Sequence, residues 1–426
     1  VRRVSREYSH VNNIRRVKME DKMAKMEQIL CRMAHSLDKL WVLYTLSILI
    51  AFKLYQKITH KTFADKDTMN DKVVIVTGSN TGIGLSTAAD LASRGAKVIL
   101  ACRNEEKTQE AITKIKARTK DANVVFKRLD LASFKSVREF ATNILKTETR
   151  LDVLVNNAGT GILGNFLTDD KLPIEAQVNH FSPFLLTMLL LPLLKSSAPS
   201  RIVNVSSVMH KFGTVDNLDK QGKNFWQRRR VYSNTKLANV LFTRKLSEHL
   251  KGTGVTVNCL HPGAVNTDIF RNQPRIVKFI LKLFFLAPEE GAQTSIYLSV
   301  AKDLEKVTGK YFSNCAEGTL AKKGLDDKAA ETLWKISEQY KLTLPKHVFN
   351  TLNATIKTMF RQVSRGGHHI VPASVLGPRR RVGHRVSACP RSLQKPLGGR
   401  RTPFLLFLRR QVTRAAPHYN LAAWHK

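Results

Sequence analysis

From Lys72 to about Tyr340 the chain repeats one unit, a short β-branched run followed by a segment long enough for a helix. That alternation is what a parallel sheet covered on both faces requires, because strands buried on two sides read as continuous apolar runs. Strands are expected at 73–77 (VVIVT), 97–101 (KVILA), 123–128 (NVVFKR), 151–155 (LDVLV), 201–205 (RIVNV) and 255–260 (VTVNCL). Helices are expected to begin near Gly84, Asn104, Ser133, Pro173, Arg230 and Pro288. The pattern predicts a doubly wound α/β domain over residues 70–340, with no internal repeat of solenoid period.

Composition admits such a core and narrows the partners. At 426 residues, 43% apolar and 24% charged, the chain is far from the disordered class. Its net charge of +37 raises nucleic acid or an anionic membrane as partners. The excess is uneven, however: residues 342–426 hold sixteen Lys and Arg with no Asp or Glu, and residues 1–39 hold ten against five. The part between them is only moderately basic. No aromatic interleaving accompanies Arg379, Arg380 and Arg381, so no nucleic-acid partner is expected. Residues 1–39 read as a basic, disordered N-terminal extension and 341–426 as a basic, acid-free, disordered tail. Because the chain opens on Val1, it reads as a partial or conceptual product, and both ends could be sequence outside the working protein. Cys31, Cys102, Cys259, Cys315 and Cys389 lack paired spacing, which fits a reducing compartment and offers no metal site.

Residues 40–52, LWVLYTLSILIAF, carry no charge, with Lys39 before them and Lys53, Lys57 and Lys61 after. Thirteen residues fall short of the ~20 that span a bilayer. A snorkelling Lys53 and a continuation through Leu54 and Tyr55 stretch them to a marginal span. A buried core helix is the alternative. Since the run precedes the first strand and has no partner of its own, residues 40–56 are read as a membrane-anchor helix. Lysines balance on its two sides, so charge assigns no orientation.

After the first strand comes Thr77-Gly78-Ser79-Asn80-Thr81-Gly82-Ile83-Gly84, leading into a helix. Gly78 permits a tight turn, Gly82 lets backbone N–H groups approach a pyrophosphate, and Gly84 allows close helix packing. A dinucleotide with a free 2′-hydroxyl calls for an acid at the end of the second strand, about 20 positions on. The chain has Ala101-Cys102-Arg103-Asn104 there instead, and Arg103 can pair with a 2′-phosphate in bidentate fashion. NADP(H) is therefore the expected cofactor. Asp130, after the third strand, is placed for the adenine end or for capping the helix near Ser133.

The fourth strand runs into Asn156-Asn157-Ala158-Gly159, the fifth ends in Asn204-Val205-Ser206-Ser207, and a helix then carries Tyr232-Ser233-Asn234-Thr235-Lys236. Tyr and Lys at i and i+4 share a helix face, so a phenol and an ammonium can share a pocket. In this order the motifs resemble the short-chain dehydrogenase/reductase family over about residues 70–320, which implies a Rossmann fold. The resemblance implies Tyr232 as catalytic acid/base, Lys236 as the group that lowers its pKa and holds the nicotinamide ribose, and Ser207 as the hydrogen-bond partner of the substrate oxygen. It also implies Asn179, in Gln177-Val178-Asn179-His180, as the anchor of a relay water. For the cofactor it implies Gly78 to Gly84 with Ser79, Asn80, Thr81 and Ile83, then Arg103, Asp130, Leu131, Asn157, Ala158 and Gly159. Tyr232, Lys236, Pro262, Gly263 and Thr267 complete that set.

Several features resemble the retinol dehydrogenase group: TGSNTGIG, LACRN, VNHFSPFLLT, HPGAVNTD and the 25 residues from Ser207 to Tyr232. That similarity implies a lipophilic alcohol and aldehyde as substrates, retinol and retinal foremost, with compatibility with a homo-oligomer. It further implies an endoplasmic reticulum membrane location with the catalytic domain facing the cytosol. The insertion 208–231, with Phe212, Phe225 and Trp226, is expected to wall the substrate pocket. Residues Ile276, Phe279, Ile280, Leu283 and Phe284 are expected on one helix face, as a core helix or a substrate lid. Phe181-Ser182-Pro183 departs from the group and puts the helix geometry after Asn179 in question. A carbonyl or steroid reductase of the same fold, or a binding protein that keeps the fold, remains the alternative reading.

Overall fold

The computed structural model describes residues 40–65, 67–161, 166–216, 218–220, 225–266 and 284–342, with Met23, Lys25 and Met26; for 225–229, 341 and 342 it describes the backbone alone. Nearly all of the expected N-terminal extension, the tail beyond 342, and the apolar run from Ile276 to Leu283 lie outside the described residues.

Helix α1 covers residues 40–59. The elements after it are β1 (Val73–Thr77), α2 (Gly82–Ser93), β2 (Lys97–Cys102), α3 (Glu105–Arg118), β3 (Val124–Arg128), α4 (Phe134–Thr147) and β4 (Val153–Asn156). Helix α5 (Ile174–Ser196) leads to β5 (Ser200–Val205), then α6 (Phe225–His249), β6 (Val255–His261) and α7 (Pro288–Val300). Two short strands, β7 (Tyr311–Ser313) and β8 (Ala316–Glu317), and helix α8 (Asp327–Leu342) follow. The sheet order is β3-β2-β1-β4-β5-β6-β7-β8, parallel until β8, which turns back against β7.

The six expected strands are present, with ends shifted by a residue or two. Alternation across the pleat explains why they read as continuous apolar runs. Ile75, Ile99, Leu154, Ile202 and Val257 pack on one face under α4, α5, α6 and α8. Val74, Val76, Val98, Leu100, Val155 and Val203 pack on the other, under α2, α3 and α7. Strands β7 and β8 escaped the sequence reading because three and two residues show no period. The reversal between them uses Asn314 and Cys315, both at φ 54, a left-handed pair that only tertiary structure selects.

The questioned stretch after Asn179 has a physical account. Residues Gln177–Phe181 form a π turn inside α5, and the α-helical part restarts at Ser182 with Pro183 in its first turn. Proline, lacking an N–H, is tolerated there. Ser182 Oγ donates to the Leu131 carbonyl at 2.6 Å and ties the restart to the turn after β3. Among the described residues, α5 is the helix long and apolar enough to cross a bilayer, but 78% of its apolar window is buried, which makes it a core helix. Helix α1 is the opposite case: Leu40, Trp41, Leu43, Ile48, Ile50, Phe52 and Leu54 are all exposed, Trp41 at 65%.

Parallel strands place their carboxyl ends on one edge, so Thr77, Cys102, Asn156, Val205 and His261 share one rim, where such sheets bind ligands. The rim depends on a tightly packed centre. Replacing fully buried Leu154 by alanine is expected to destabilise the domain by about 2–5 kcal/mol. A denaturation midpoint unchanged from the parent chain would contradict that packing.

Candidate active site

The glycine loop and the Asn-Asn-Ala-Gly run form one unit. Thr77 Oγ1 accepts from the N–H groups of Asn157 (3.1 Å) and Ala158 (3.0 Å), and Asn157 Nδ2 donates back to the Thr77 carbonyl at 2.8 Å. Gly78 (φ 64) and Gly82 (φ 58) occupy the left-handed region that a side chain resists. A Cβ on Gly84 would sit 2.4 Å from Asn157 Nδ2, which is why α2 can approach the loop only with glycine there. Thr81 is the N-cap of α2 but makes no side-chain cap bond, and the first turn holds no acid. Its N–H groups and positive dipole end thus point at the rim, suited to a phosphate. Ser79, by contrast, is fully buried and donates to the Val76 carbonyl at 2.8 Å, so its side chain serves the turn itself.

Arg103 is exposed at the tip of β2, beyond buried Cys102, with no carboxylate partner among the described residues. Asn104 beside it caps α3, accepting from Lys107 N at 2.8 Å. The two readings of Asp130 separate: Ser133 caps α4, while Asp130 Oδ1 accepts from Ala132 N at 2.9 Å and shapes the turn after β3. Leu131 is in the core and presents only its carbonyl, to Ser182.

The second half of the site gathers around Gly159. A side chain there would begin 3.4 Å from Lys236 Nζ and 3.5 Å from Asn179 Oδ1; one on Gly161 would begin 2.9 Å from Tyr232 Cδ2. These glycines leave a gap walled by the residues that the sequence singled out. Lys236 is 3% exposed, its ammonium donates to the Val205 carbonyl at 3.0 Å, and it lies 5.6 Å above the Tyr232 ring. Ser207 caps a 3₁₀ turn, Val208–Phe212, and its Oγ accepts from Met209 N at 3.2 Å, which leaves the hydroxyl proton to donate. Both arms of Asn179 are used: Oδ1 accepts from Thr160 N at 2.7 Å, and Nδ2 donates to the Thr160 carbonyl (2.7 Å) and Thr235 Oγ1 (3.0 Å). Asn179 clasps the loop after β4 to α6 from within the π turn.

Burial sets the electrostatics. It pushes the Lys236 ammonium down to about 8. Burial also raises the Tyr232 phenol, against a hydrogen bond from Ser207 that lowers it, with Glu175 adding to the rise. The sequence reading expected the neighbouring ammonium to lower that phenol. In the fold, desolvation is the largest cause and outweighs the Ser207 hydrogen bond, with the ring packed between Gly161 and Lys236.

Pro262 and Gly263 (φ 89) follow β6 on the same rim, and a Cβ on Gly263 would meet Leu286 Cδ1 at 2.7 Å. Thr267 and the side chains of Phe225 and Trp226 lie outside the described residues; Phe212 is 65% exposed. Sequence reasoning missed Thr77, Thr160, Thr235 and His210, each a buried or half-buried partner of a predicted residue. The one signal for His210 was its place three residues after Ser207.

A dinucleotide loop, a rim Ser, and a half-buried Tyr with a buried Lys on one helix define an oxidoreductase. A family model described as short chain dehydrogenase matches residues 72–276, and the chain belongs to that family. It is 44% identical over 290 residues to retinol dehydrogenase 14 of Mus musculus, covering 64% of this chain and 87% of that one. It is also 44% identical over 268 residues to retinol dehydrogenase 12 of Homo sapiens, covering 62% and 85%. A solved structure of an uncharacterised protein from Mycobacterium paratuberculosis superposes with a TM-score of 0.54 at 30% identity, over 66% of this chain and 97% of that one.

The Lys236 ammonium is charged at pH 7 and loses its proton as pH rises through about 8. Turnover is therefore expected to hold between about pH 6 and 7 and to fall as pH passes about 8. A profile level up to about pH 10, the range of an ordinary lysine, would show that this charge plays no part.

Proposed function

We propose that the chain is an NADP(H)-dependent oxidoreductase that interconverts a lipophilic alcohol and its aldehyde, retinol and retinal foremost. The observation that carries this is the convergence of Lys236, Tyr232 and Asn179 on the gap at Gly159 and Gly161. NADP(H) fits the rim: glycines with positive φ, a helix N-terminus without acid, and an exposed Arg103 where a 2′-hydroxyl reader would be acidic. Bound there, it supplies or accepts the hydride. Ser207 keeps its proton and donates a hydrogen bond to the substrate oxygen. Tyr232 gives that oxygen the one proton that reduction consumes, or takes it back in oxidation, and Lys236 holds the ribose and offsets developing phenolate charge. A phenol raised by burial stays protonated at pH 7, which is the form that a reductase needs.

Tyr232→Phe is expected to leave NADPH binding nearly intact and to remove turnover, since general acid–base groups contribute about 10²-fold or more. Arg103→Ala should weaken NADPH binding about ten- to a hundredfold, the value of a charge-assisted pair, and leave NADH binding unchanged. All-trans-retinal should exceed short polar aldehydes in kcat/KM by at least about tenfold, as each buried CH₂ contributes ~0.8 kcal/mol. Equal loss of both cofactors in the Arg103 variant, or equal efficiency with a small polar aldehyde, would defeat the corresponding part of the reading.

Helix α1 supports a membrane location; placing it at the endoplasmic reticulum with the catalytic domain facing the cytosol rests on the likeness to retinol dehydrogenases alone. The apolar side chains of α1 are exposed over most of the helix surface, apart from half-buried Leu49 on the stripe that carries Lys53 and Gln56. Deleting residues 1–56 is expected to move the protein from the membrane pellet to the soluble fraction. Retention in the pellet would show that another part of the chain holds the membrane.

A further inference from the structure

We propose that His210 is a positioning residue for Ser207, holding the serine hydroxyl in place through its backbone carbonyl. This rests on the role of Ser207 given above. His210 is fully buried, and its Nδ1 lies 2.7 Å from the Ser207 carbonyl oxygen. A carbonyl only accepts, so Nδ1 carries the proton. The backbone N–H of His210 donates to the same oxygen at 3.0 Å. Two donors from one residue therefore fix the plane of the Ser207 peptide, whose φ −160 and ψ 158 aim the side chain out of the 3₁₀ turn.

The other side of the ring argues against mere packing. Nε2 is buried with no hydrogen-bond partner, and a leucine or phenylalanine would fill the space without stranding a polar atom. Tyr311 of β7 stands edge-on at 4.9 Å and holds the imidazole against the turn. Burial keeps the ring neutral at pH 7, which preserves the single Nδ1–H that the geometry requires. Ser207 Oγ accepts from Met209 N within the same turn, so the hydroxyl goes where the turn's backbone goes, and a small misplacement of a group at the reacting oxygen is costly in rate. The imidazole fixes that backbone while leaving the hydroxyl proton available.

The test compares His210→Leu, His210→Asn and His210→Gln in the full chain, with retinal and NADPH. The asparagine amide nitrogen reaches the place of Nδ1; the glutamine amide reaches that of Nε2. His210→Leu and His210→Gln are expected to lose about ten- to a hundredfold in kcat with the KM for NADPH unchanged, and His210→Asn to keep at least about half of the parent kcat. Asparagine and glutamine variants of equal activity, or a leucine variant at the parental kcat, would overturn the proposal. So would a loss in all three that follows their melting temperatures. Ser207→Ala run alongside separates the two ideas: if it turns over like the parent, the role of Ser207 fails first, whereas an inactive Ser207→Ala beside an unaffected His210→Gln defeats the positioning role alone.

Discussion

A single buried ammonium organises the rim. Lys236 is held in the interior with one protein acceptor, the Val205 carbonyl, and with no carboxylate at hydrogen-bond distance among the described residues. A charge taken out of water with so little compensation costs several kcal/mol, and proteins keep such arrangements chiefly where chemistry uses them. The surroundings are arranged to hold it: β5 ends at the accepting carbonyl, Ser206 Oγ donates to the Lys236 carbonyl at 2.7 Å, and Gly159 leaves the space in front of the ammonium open. The missing negative partner is the opportunity. A phenolate and ribose hydroxyls are the groups that this position can hold.

How much of this was legible in the chain depends on how local each cause is. Gly78 and Gly82 could be read because positive φ is a property of one residue, and Tyr232 with Lys236 because a helix face is set by spacing alone. The doubly wound sheet could be read because strands buried on both faces must be apolar throughout. Thr77 could not be read: its hydroxyl matters only because β4, eighty residues on, brings Asn157 and Ala158 to it. His210 was hidden for the same reason, since its wall, Tyr311, stands on a three-residue strand with no pattern of its own. The direction of the Tyr232 shift was hidden too. A sequence shows which charge stands four residues away, but not how much water the fold removes.

Asn179 shows the difference between a residue and its setting. Its position was evident from the motif, yet both of its polar arms are taken by Thr160 and Thr235, so it acts first as a clasp between the loop after β4 and helix α6. Asn179 sits within the π turn Gln177–Phe181, and Pro183 follows in the first turn of the α-helical segment that restarts at Ser182, where a missing N–H is tolerated.

The path from helix α1 to the rim is bonded along its length. Lys53 Nζ donates to the Phe285 carbonyl at 2.9 Å; Asn314 accepts from Lys61 N at 2.8 Å and donates to the Thr59 carbonyl at 2.6 Å. Phe63 N donates to Gln293 at 3.0 Å, and its ring packs on Tyr297 and beneath Arg94, which also holds the Asp65 carbonyl at 2.7 Å. Next to Phe285, Leu286 pairs with Val265 and fills the space left by Gly263 on the cofactor rim. With α1 in a bilayer, as proposed, these bonds fix the domain's tilt on the membrane, and the backbone that Lys53 grips is one residue from the wall of the site.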